Sequence, residues 1–406
     1  MRLNLESSLT ITERFPMEKV KRNYLLFTIC EEIPHALVFP VYVIFLVDNG
    51  MTMAQVGIIN FVFMLAIFAF EIPTGVIADY FGRKISVLTG LFFHALSTLI
   101  YFASYGMFGF IIAELTCAVG SCFISGALDA WVKDAIDNNG GGDCGHVFSR
   151  GEIARTLSYI AGGTIGAGLM LIDLRLPWIL SAIGLFVSIP ISNKLLTEEH
   201  FVRKRLTMRE GWNGMKKIFV DSVRYGLNNK PIFALICVGV FFTAACQAIN
   251  MNWTLYFKSK FGIASVSWGW AMIGAASMVG ILIGSKLINN KAGKIRTIKL
   301  SLIANVVVFA CMAAIPNAGI VMLFFLAHEI SRGAFTPAER SFLQENILSS
   351  DIRATVGSFK SMIIAGAAAI SWLGCGILLT VWSFETLLLI SAGLTFVAAM
   401  FTKRLQ

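Results

Sequence analysis

Acidic and histidine side chains stand inside an apolar run of this chain, where burying a charge is costly. Glu31, Glu32 and His35 all fall between residues 24 and 47. A charge at bilayer depth costs at least about 2.5–3.5 kcal/mol, so one that is retained indicates a function. On a helix, His35 shares a face with Glu31 at i,i+4 and with Glu32 at i,i+3, whereas the two adjacent carboxylates point about 100° apart. We therefore expect at most one of the two glutamates to face a cavity squarely.

This trio has the chemistry to move protons or to recognise a charged solute. A carboxylate in a secluded cavity and an imidazole can both exchange protons near neutral pH. A static hydrogen-bonded cluster between helices is the alternative. The spacing Glu32-x-x-His35 also occurs in di-iron bundles, but that chemistry needs a second such motif, which the chain lacks. We expect no catalytic metal, and we keep a transported metal ion, transiently coordinated, as a further alternative.

Three more acids lie in the second and fourth apolar runs: Glu71, Glu114 and Asp129. Glu71 lies roughly 11 Å inside its run, counted from Asp79 at the helical rise per residue. It is either a proton site or a bridge to a neighbouring helix. Glu114 and Asp129 stand near opposite ends of the fourth run. For Asp129, a local ion pair with Lys133 at i,i+4 is the alternative to a role in transport.

Amide and aromatic side chains recur at helical spacing in the seventh apolar run. They are Gln247, Asn250, Asn252, Trp253 and Tyr256. Amides beside rings suit a polar, ring-bearing or amphipathic solute, and hydrogen bonding between helices is an equal alternative. In the tenth run, Glu329 and Arg332 stand three apart beside His328 and can form an ion pair. We interpret His94, in the third run, as a lone polar group that is satisfied locally.

Composition assigns these runs to a membrane. The 406 residues are 56% hydrophobic and 14% charged, whereas soluble domains carry about 25% charged residues. The mean hydropathy is +0.74. A membrane helix needs roughly 20 apolar residues, and the chain has room for about twelve of them. The predicted spans are 24–47, 54–78, 86–105, 107–131, 152–172, 176–195, 231–256, 264–288, 297–315, 318–337, 357–380 and 384–402.

Basic residues predict the orientation of the spans. Of the 33 lysines and arginines, all but Arg175, Lys258 and Lys260 fall in the tails, in the connections on one side or at the adjoining span ends. The positive-inside rule then puts both termini in the cytosol. This bias accounts for most of the net charge of +9, so nucleic acid is not an expected partner. We expect a multi-pass monomer in the plasma membrane, which in a prokaryote is the bacterial inner membrane.

The eight cysteines show no paired spacing. All but Cys144 fall within apolar runs, where cysteine behaves as a small hydrophobe. Cys144 lies on the predicted cytosolic side, where disulfides are rare. We expect no disulfide, no metal cluster and no cofactor.

A long polar connection divides the chain. Within it, Thr207-x-x-Glu210 resembles a capping box, and apolar residues then recur near helical spacing. We predict an amphipathic helix that lies on the inner membrane face and tethers two bundles, with a regulatory role as the alternative. The predicted parts are a cytosolic tail (1–23), a six-span bundle (24–195), a linker (196–230), a second six-span bundle (231–402) and a cytosolic tail (403–406).

The connection between the second and third spans carries the most specific motif of the chain. Its members are Gly75, Asp79, Gly82, Arg83 and Lys84. This order and spacing resembles the signature loop of the major facilitator superfamily, a large family of secondary transporters. Gly284 and the stretch 289–294 resemble a decayed copy of the loop, without its acid, in the second bundle.

The resemblance implies both a fold and a gate. The expected fold is an all-α membrane protein with twelve transmembrane helices in two pseudo-symmetric six-helix bundles and a site near the midplane. In this family the first, fourth, seventh and tenth spans line the cavity, which makes the polar residues described above its candidate lining. Gly75 would let a helix approach closely. Asp79 would act at the gate by facing the N-terminal end of the eleventh span, while Arg83 and Lys84 add ion pairs or only fix topology.

Two departures weaken a resemblance to the drug antiporters of this family. Many of those exporters carry an arginine four residues before a glycine of the fourth span, where this chain has Thr116 before Gly120. The fifth span has a run of small residues at 161–168, but it lacks the proline of the antiporter motif.

We predict a secondary active transporter that moves a small organic solute by alternating access, with proton-coupled efflux as the favoured activity. A proton-coupled importer of a metabolite or siderophore is the first alternative, and a non-transporting membrane receptor or scaffold is the second. An enzyme is not expected, because the chain lacks the Gly-x-x-x-x-Gly-Lys-Ser/Thr, His-Glu-x-x-His and Gly-x-Ser-x-Gly motifs. The expected partners are the solute, protons and bilayer lipids.

Overall fold

A computed structural model of the chain describes residues 14–138, 144–198, 229–288, 290–346 and 350–405. Within these ranges every regular element is a helix. The α-helices are α1 (Arg14–Ala36), α2 (Tyr42–Asp48), α3 (Met53–Phe81), α4 (Arg83–Ala103), α5 (Met107–Asn138), α6 (Cys144–Leu169), α7 (Leu176–Leu195), α8 (Lys230–Phe261), α9 (Ser265–Leu287), α10 (Lys291–Ala314), α11 (Ala318–Asn346), α12 (Ser350–Leu378) and α13 (Phe384–Phe401). A single 3₁₀ turn, Thr402–Arg404, follows α13.

The helices are those of a multi-pass membrane protein, as the composition predicts. In the described part of the chain, 10 helices are long and apolar enough to cross a membrane. The predicted first and fifth spans correspond to α1 with α2 and to α6, which carry more charge. The first predicted span is not continuous, because α1 ends at Ala36 and α2 begins at Tyr42. Pro40 lies in this break, where it cannot donate a backbone hydrogen bond. The predicted amphipathic helix of the linker lies outside the described residues.

The helices group into two compact units. Unit 1 comprises residues 1–41 and 66–211, and unit 2 comprises residues 42–65 and 212–406. α2 and the first part of α3 therefore group with the second half of the sequence. Each unit has its own apolar core.

Unit 1 is built on two closely packed helix pairs. α4 packs on α5 and α7, while α1 packs on α6 and α7. The approach of α6 to α1 depends on glycine, since a Cβ on Gly162 would come within 2.8 Å of Ala36 Cβ and one on Gly166 would overlap the Leu37 carbonyl. The small residues of the fifth predicted span therefore allow close packing on α1.

Unit 2 uses the same device between α9 and α11. A Cβ on Gly280 would lie 3.0 Å from the α-carbon of Gly333 and would overlap the Ile330 carbonyl. α10 packs on α11 and α13, and α8 packs on α12 and α13. α11 continues past Pro337 to Asn346, nine residues beyond the predicted end of its span, and it buries Phe342 against the unit 2 core.

Candidate functional site

Two adjacent carboxyl groups on α1 form the centre of a polar site in unit 1. Glu31 and Glu32 are 6% and 8% exposed, so both are buried. The two side chains interact electrostatically with one another and with Arg155 of α6. The two carboxyls therefore form one acidic site beside a cation inside the bundle. Which of them faces a cavity stays a prediction.

Two histidines and a cysteine adjoin Glu31. Glu31 Oε1 lies 3.8 Å from His35 Nδ1, as their i,i+4 spacing predicts, and 4.0 Å from His94 Nδ1. The imidazole rings of His35 and His94 are stacked, with centroids 4.5 Å apart. One ring nitrogen of each histidine and Cys117 Sγ all lie within 4.8 Å of one another. His94 is thus a member of a cluster, and our interpretation of it as a lone polar group was wrong.

The remaining acids of unit 1 lie in different environments. Glu114 is buried and accepts a 2.5 Å hydrogen bond from the Tyr101 hydroxyl. Glu71 on α3 and Asp129 on α5 are exposed. Asp129 interacts electrostatically with Arg155, and a pair with Lys133 is not among the ion pairs that the described residues form. Glu114 therefore has a partner of its own in Tyr101, whereas Glu71 is exposed and not buried like the Glu31–Glu32 pair.

In unit 2, polar side chains of α8 and α11 form a continuous chain. Asn250 Nδ2 donates to Gln247 Oε1 at 3.2 Å, and Arg332 Nη1 donates to Asn250 Oδ1 at 3.2 Å. Arg332 Nη2 lies 2.9 Å from Glu329 Oε2, as the i,i+3 spacing predicts. Glu329 is 2% exposed, whereas the Arg332 side chain is 35% exposed. This series of side chains thus links the buried Glu329 to a guanidinium that is partly exposed.

His328 belongs to a second hydrogen-bond network, next to the series of polar side chains just described. His328 Nδ1 is 2.6 Å from Asn305 Oδ1. Asn305 Nδ2 donates to Ser331 Oγ at 2.9 Å, and Ser331 Oγ donates to the Ser301 carbonyl at 2.8 Å. The network joins α10 to α11 and is fully buried, so we assign His328 to packing between these helices.

The other predicted residues of the seventh span divide between packing and exposure. Trp253 belongs to an aromatic cluster with Trp270 and Phe325. Tyr256 is partly exposed and packs against Phe384. Asn252 Nδ2 is buried without a hydrogen-bond partner among the described residues. Only Gln247 and Asn250 of this predicted set therefore join the polar chain to Arg332.

The signature loop is stabilised by an acid from the end of the first bundle. Gly82 has φ 114°, a conformation that favours glycine. The Arg83 backbone N–H donates to Glu198 Oε1 at 2.5 Å, so Glu198 satisfies an exposed donor at the start of α4. The Arg83 side chain approaches Asp134, with Nε 3.8 Å from Oδ2.

For the other three members of the motif, Gly75, Asp79 and Lys84, the structure gives fewer details of their surroundings. A Cβ added to Gly75 would have no described atom within 4 Å. Lys84 is partly exposed. Asp79 lies in α3, but its side chain is outside what the structure describes. The predicted partner of Asp79 at the start of the eleventh span therefore stays a prediction.

Sequence reasoning missed several residues that complete these sites. Arg155, Cys117 and the ion pair of Glu339 with Lys360, 2.7 Å apart, were not predicted. Arg155 carried a signal, because it is a cation three residues into the fifth predicted span. Glu339 lies beyond Pro337, where the tenth span was predicted to end, so no pattern pointed to a buried acid there.

Comparisons with known proteins agree with this architecture. The family model of the Major Facilitator Superfamily matches residues 24–349. An uncharacterized MFS-type transporter, YxaM of Bacillus subtilis (strain 168), is 22% identical over 235 residues, which are 57% of this chain and 57% of that protein. The Multidrug resistance protein 2 of the same organism is 24% identical over 266 residues, 64% of each chain. The chain thus spans less than two thirds of the length of these curated relatives.

Two solved structures are similar over nearly the whole chain. A mutant of the nucleoside transporter NupG has a TM-score of 0.80 at 15% identity, covering 95% of this chain and 100% of that one. A bacterial homologue of the iron transporter ferroportin, in an inward-facing state, has a TM-score of 0.75 at 13% identity, covering 96% and 98%. At this identity the likeness shows the fold alone. Taken with the family match over residues 24–349, the signature loop and the helical architecture, it confirms that the chain belongs to the Major Facilitator Superfamily.

Proposed function

We propose that the protein is a proton-coupled secondary transporter that exports a small organic solute by alternating access across the plasma membrane, with both termini in the cytosol. The observation that carries the proposal is the buried carboxyl pair of Glu31 and Glu32 beside Arg155. Buried ionisable groups in membrane helices mark proton and ion pathways. A shared proton between two carboxyls can be released when a cation or an aqueous opening comes near, which links proton movement to a conformational change.

The solute class follows from two surfaces, one in each unit. In unit 1 an open, apolar groove of about 470 Å³ lies between α1 and α6, lined in part by Ile29, Ile33 and Leu157. In unit 2 the chain of Gln247, Asn250 and Arg332 offers amide and guanidinium groups. The groove by itself favours a solute with a large apolar part, and the polar chain by itself favours a solute with acceptor groups. We propose a solute that has both. The name of the relative Multidrug resistance protein 2 supports a solute of this kind.

Transport by purified full-length protein in proteoliposomes tests the proposal. A pH gradient is imposed, and a panel of amphipathic cations, nucleosides and organic anions is offered while a lumenal dye reports proton flux. We expect a solute to move against the proton flux, and we expect Glu31→Gln and Glu32→Gln to abolish the dependence on the gradient. The matched control is Glu385→Gln, because Glu385 is an exposed acid at the start of α13. Transport that ignores the gradient, with both variants silent, would refute proton coupling.

An importer is the second candidate, and Arg332 favours it. The guanidinium is 35% exposed and is held by Glu329 and Asn250, so it offers a fixed, planar positive charge to a solute with acceptor groups. The same assay separates the two candidates, since an importer moves solute in the direction of the proton flux. Arg332→Lys would then weaken uptake of acceptor-rich solutes, because lysine cannot reproduce the planar fork of arginine.

The signature loop supplies a test of the gate. We propose that Asp79 stabilises one conformation of the transporter from the end of α3. Asp79→Asn is expected to keep protein levels and slow transport, whereas the control Lys84→Gln should change the rate little. Equal transport rates for Asp79→Asn and the native chain would remove the gate from the mechanism.

A further inference from the structure

We infer that the α1–α4–α5 cluster of unit 1 is a binding site for a borderline-soft divalent metal ion such as Zn²⁺. The site, here called the His-Cys site, consists of His35, His94, Cys117 and Glu31. It lies within one bundle and does not depend on the direction or coupling of transport.

The donor set is that of a transition metal. Imidazole nitrogen, thiolate sulfur and carboxylate oxygen are the ligands that bind Zn²⁺ in proteins, with four-coordinate tetrahedral geometry in most sites. One nitrogen of each histidine and Cys117 Sγ lie within 4.8 Å of one another. Glu31 Oε1 lies beside this group of three, 3.8 Å from His35 Nδ1 and 4.0 Å from His94 Nδ1, and would complete four-fold coordination when the cluster contracts.

The burial of His94 is an independent observation that points to a ligand. His94 is 3% exposed, and its Nδ1 has no hydrogen-bond partner among the described residues. The other ring nitrogen, Nε2, lies 3.0 Å from Ser121 Oγ. A hydrogen bond on one nitrogen orients the ring and leaves the other free to coordinate, which is the usual arrangement of a metal-bound histidine. An unsatisfied buried nitrogen costs free energy that a metal ion would recover.

The distances describe an open arrangement that needs a small contraction. Tetrahedral coordination with bonds near 2.0–2.3 Å would bring the donor atoms to roughly 3.3–3.8 Å from one another. The rings of His35 and His94 are stacked at 25°, so one ring must rotate before both lone pairs meet at one point. His35 is suited to this motion, because its side chain is 18% exposed while that of His94 is 4% exposed. The same exposure provides a path for the ion to enter.

Charge balance also favours a divalent ion. On binding, the S–H bond of Cys117 breaks and an S–metal bond forms, and the proton leaves to solvent. The thiolate and the Glu31–Glu32 acids, which also face Arg155, then offset the positive charge of the ion, as an apolar bundle requires.

Cobalt binding to the native chain tests the site directly. The full-length protein is purified in detergent with an affinity tag that contains no histidine, stripped with a chelator and titrated with Co²⁺. We expect one equivalent to bind, with the visible bands of four-coordinate Co²⁺ and a near-ultraviolet thiolate charge-transfer band, and Zn²⁺ should displace it. Failure of the native chain to take up Co²⁺, or uptake without the thiolate band, would overturn the proposal.

Variants distinguish this site from any other. Cys117→Ser should remove the charge-transfer band, and His94→Gln should weaken binding by more than about tenfold, since even outer-shell substitutions cost about 10–100-fold. Cys122→Ser is the matched control, because Cys122 is buried on the same helix but its Sγ donates to the Ile67 carbonyl. An unchanged band in Cys117→Ser contradicts the assignment.

A protection experiment covers the case in which Cys117→Ser does not fold. Alkylation of each thiol in the native chain is followed by mass spectrometry with and without Zn²⁺. Zinc should slow the modification of Cys117 at least several-fold and leave Cys122 unchanged. Equal rates at Cys117 with and without Zn²⁺ would refute the site, whatever the transport assays show.

Discussion

Each unit buries a histidine, His94 in unit 1 and His328 in unit 2. The two histidines have similar hydrogen-bond partners, but the glutamates beside them have different neighbours. In each, one ring nitrogen has a polar partner, Ser121 for His94 and Asn305 for His328. The other ring nitrogen stands near a glutamate, at 4.0 Å in unit 1 and 3.9 Å in unit 2. In unit 2 that glutamate already has a cation, since Arg332 lies 2.9 Å from Glu329.

In unit 1 the corresponding carboxylate has a different set of neighbours. Glu31 faces two imidazoles and, through them, the thiol of Cys117. In unit 2 the buried carboxylate pairs with a side chain of its own helix, whereas in unit 1 Glu31 interacts with Arg155 of another helix and also lies beside atoms of the types that coordinate metals. We therefore propose proton or metal chemistry for unit 1 and solute recognition by a fixed guanidinium for unit 2.

We expect the largest loss of stability when the buried ion pair of unit 2 is broken. Glu339 and Lys360 lie 2.7 Å apart and are 11% and 10% exposed. Glu339→Ala leaves the ammonium buried and unpaired, which should cost about 3–5 kcal/mol of stability, and Glu339→Leu with Lys360→Met should restore most of it. Unfolding in detergent micelles measures the change.

The control for this variant lies on the same helix. Glu345 pairs with Lys294 at the same 2.7 Å but is 46% exposed, so Glu345→Ala should cost about 0–1 kcal/mol. Equal losses for the two substitutions would show that burial does not decide the strength of these pairs.

A smaller effect compares the two histidines directly. His328→Leu leaves Asn305 Oδ1 without its partner inside a fully buried network, whereas His94→Leu leaves the part-buried Ser121 hydroxyl without its imidazole partner. Each ring has one nitrogen with a partner and one without among the described residues, so the difference compares a buried partner with a part-buried one. We expect His328→Leu to cost about 1–3 kcal/mol more than His94→Leu. An equal or larger loss for His94→Leu, measured by the same unfolding assay, would contradict the distinction between the units.

The smallest expected effect compares two exposed ion pairs at equivalent places of the two repeats. Arg83, at the start of α4, approaches Asp134 near the end of α5 at 3.8 Å, and Lys294, near the start of α10, approaches Glu345 at the end of α11 at 2.7 Å. Asp134→Asn and Glu345→Gln should each cost about 0–1 kcal/mol and should lose their effect in high salt. Glu345→Gln should cost the more, because its pair is shorter. A salt-independent loss at either position would mean that the pair is not an exposed ion pair.

Much of the fold could be predicted, because an apolar run long enough to cross a membrane indicates a helix of about the same length. The predicted spans at 176–195 and 384–402 differ from α7 and α13 by at most one residue, since polar or turn residues bound them closely. The break at Pro40 was missed, because an apolar run reads as one helix whether or not it is interrupted. The extension of α11 past Pro337 was missed because a proline usually ends a helix, yet here the following turn buries Phe342 in the core.

The site was predictable only along single helices. Helical spacing predicted the approach of Glu31 to His35 and of Glu329 to Arg332, because residues three or four apart share a face. It could not predict that His94 of α4 and Cys117 of α5 meet His35 of α1, since the meeting of helices depends on packing that one sequence does not encode visibly. The burial of both Glu31 and Glu32 does not decide which of the two faces a cavity, so that expectation stays a prediction.

The close packing of α6 on α1 restricts which substitutions can be tolerated at Gly162 and Gly166. A methyl group on Gly162 or Gly166 would collide with the backbone of residues 33–37, the stretch that carries His35. A descendant with alanine at either position would have to displace that stretch, and with it the imidazole nearest to Glu31. Natural selection that preserves the chemistry of the acids should therefore also preserve Gly162 and Gly166, although neither glycine has a functional group.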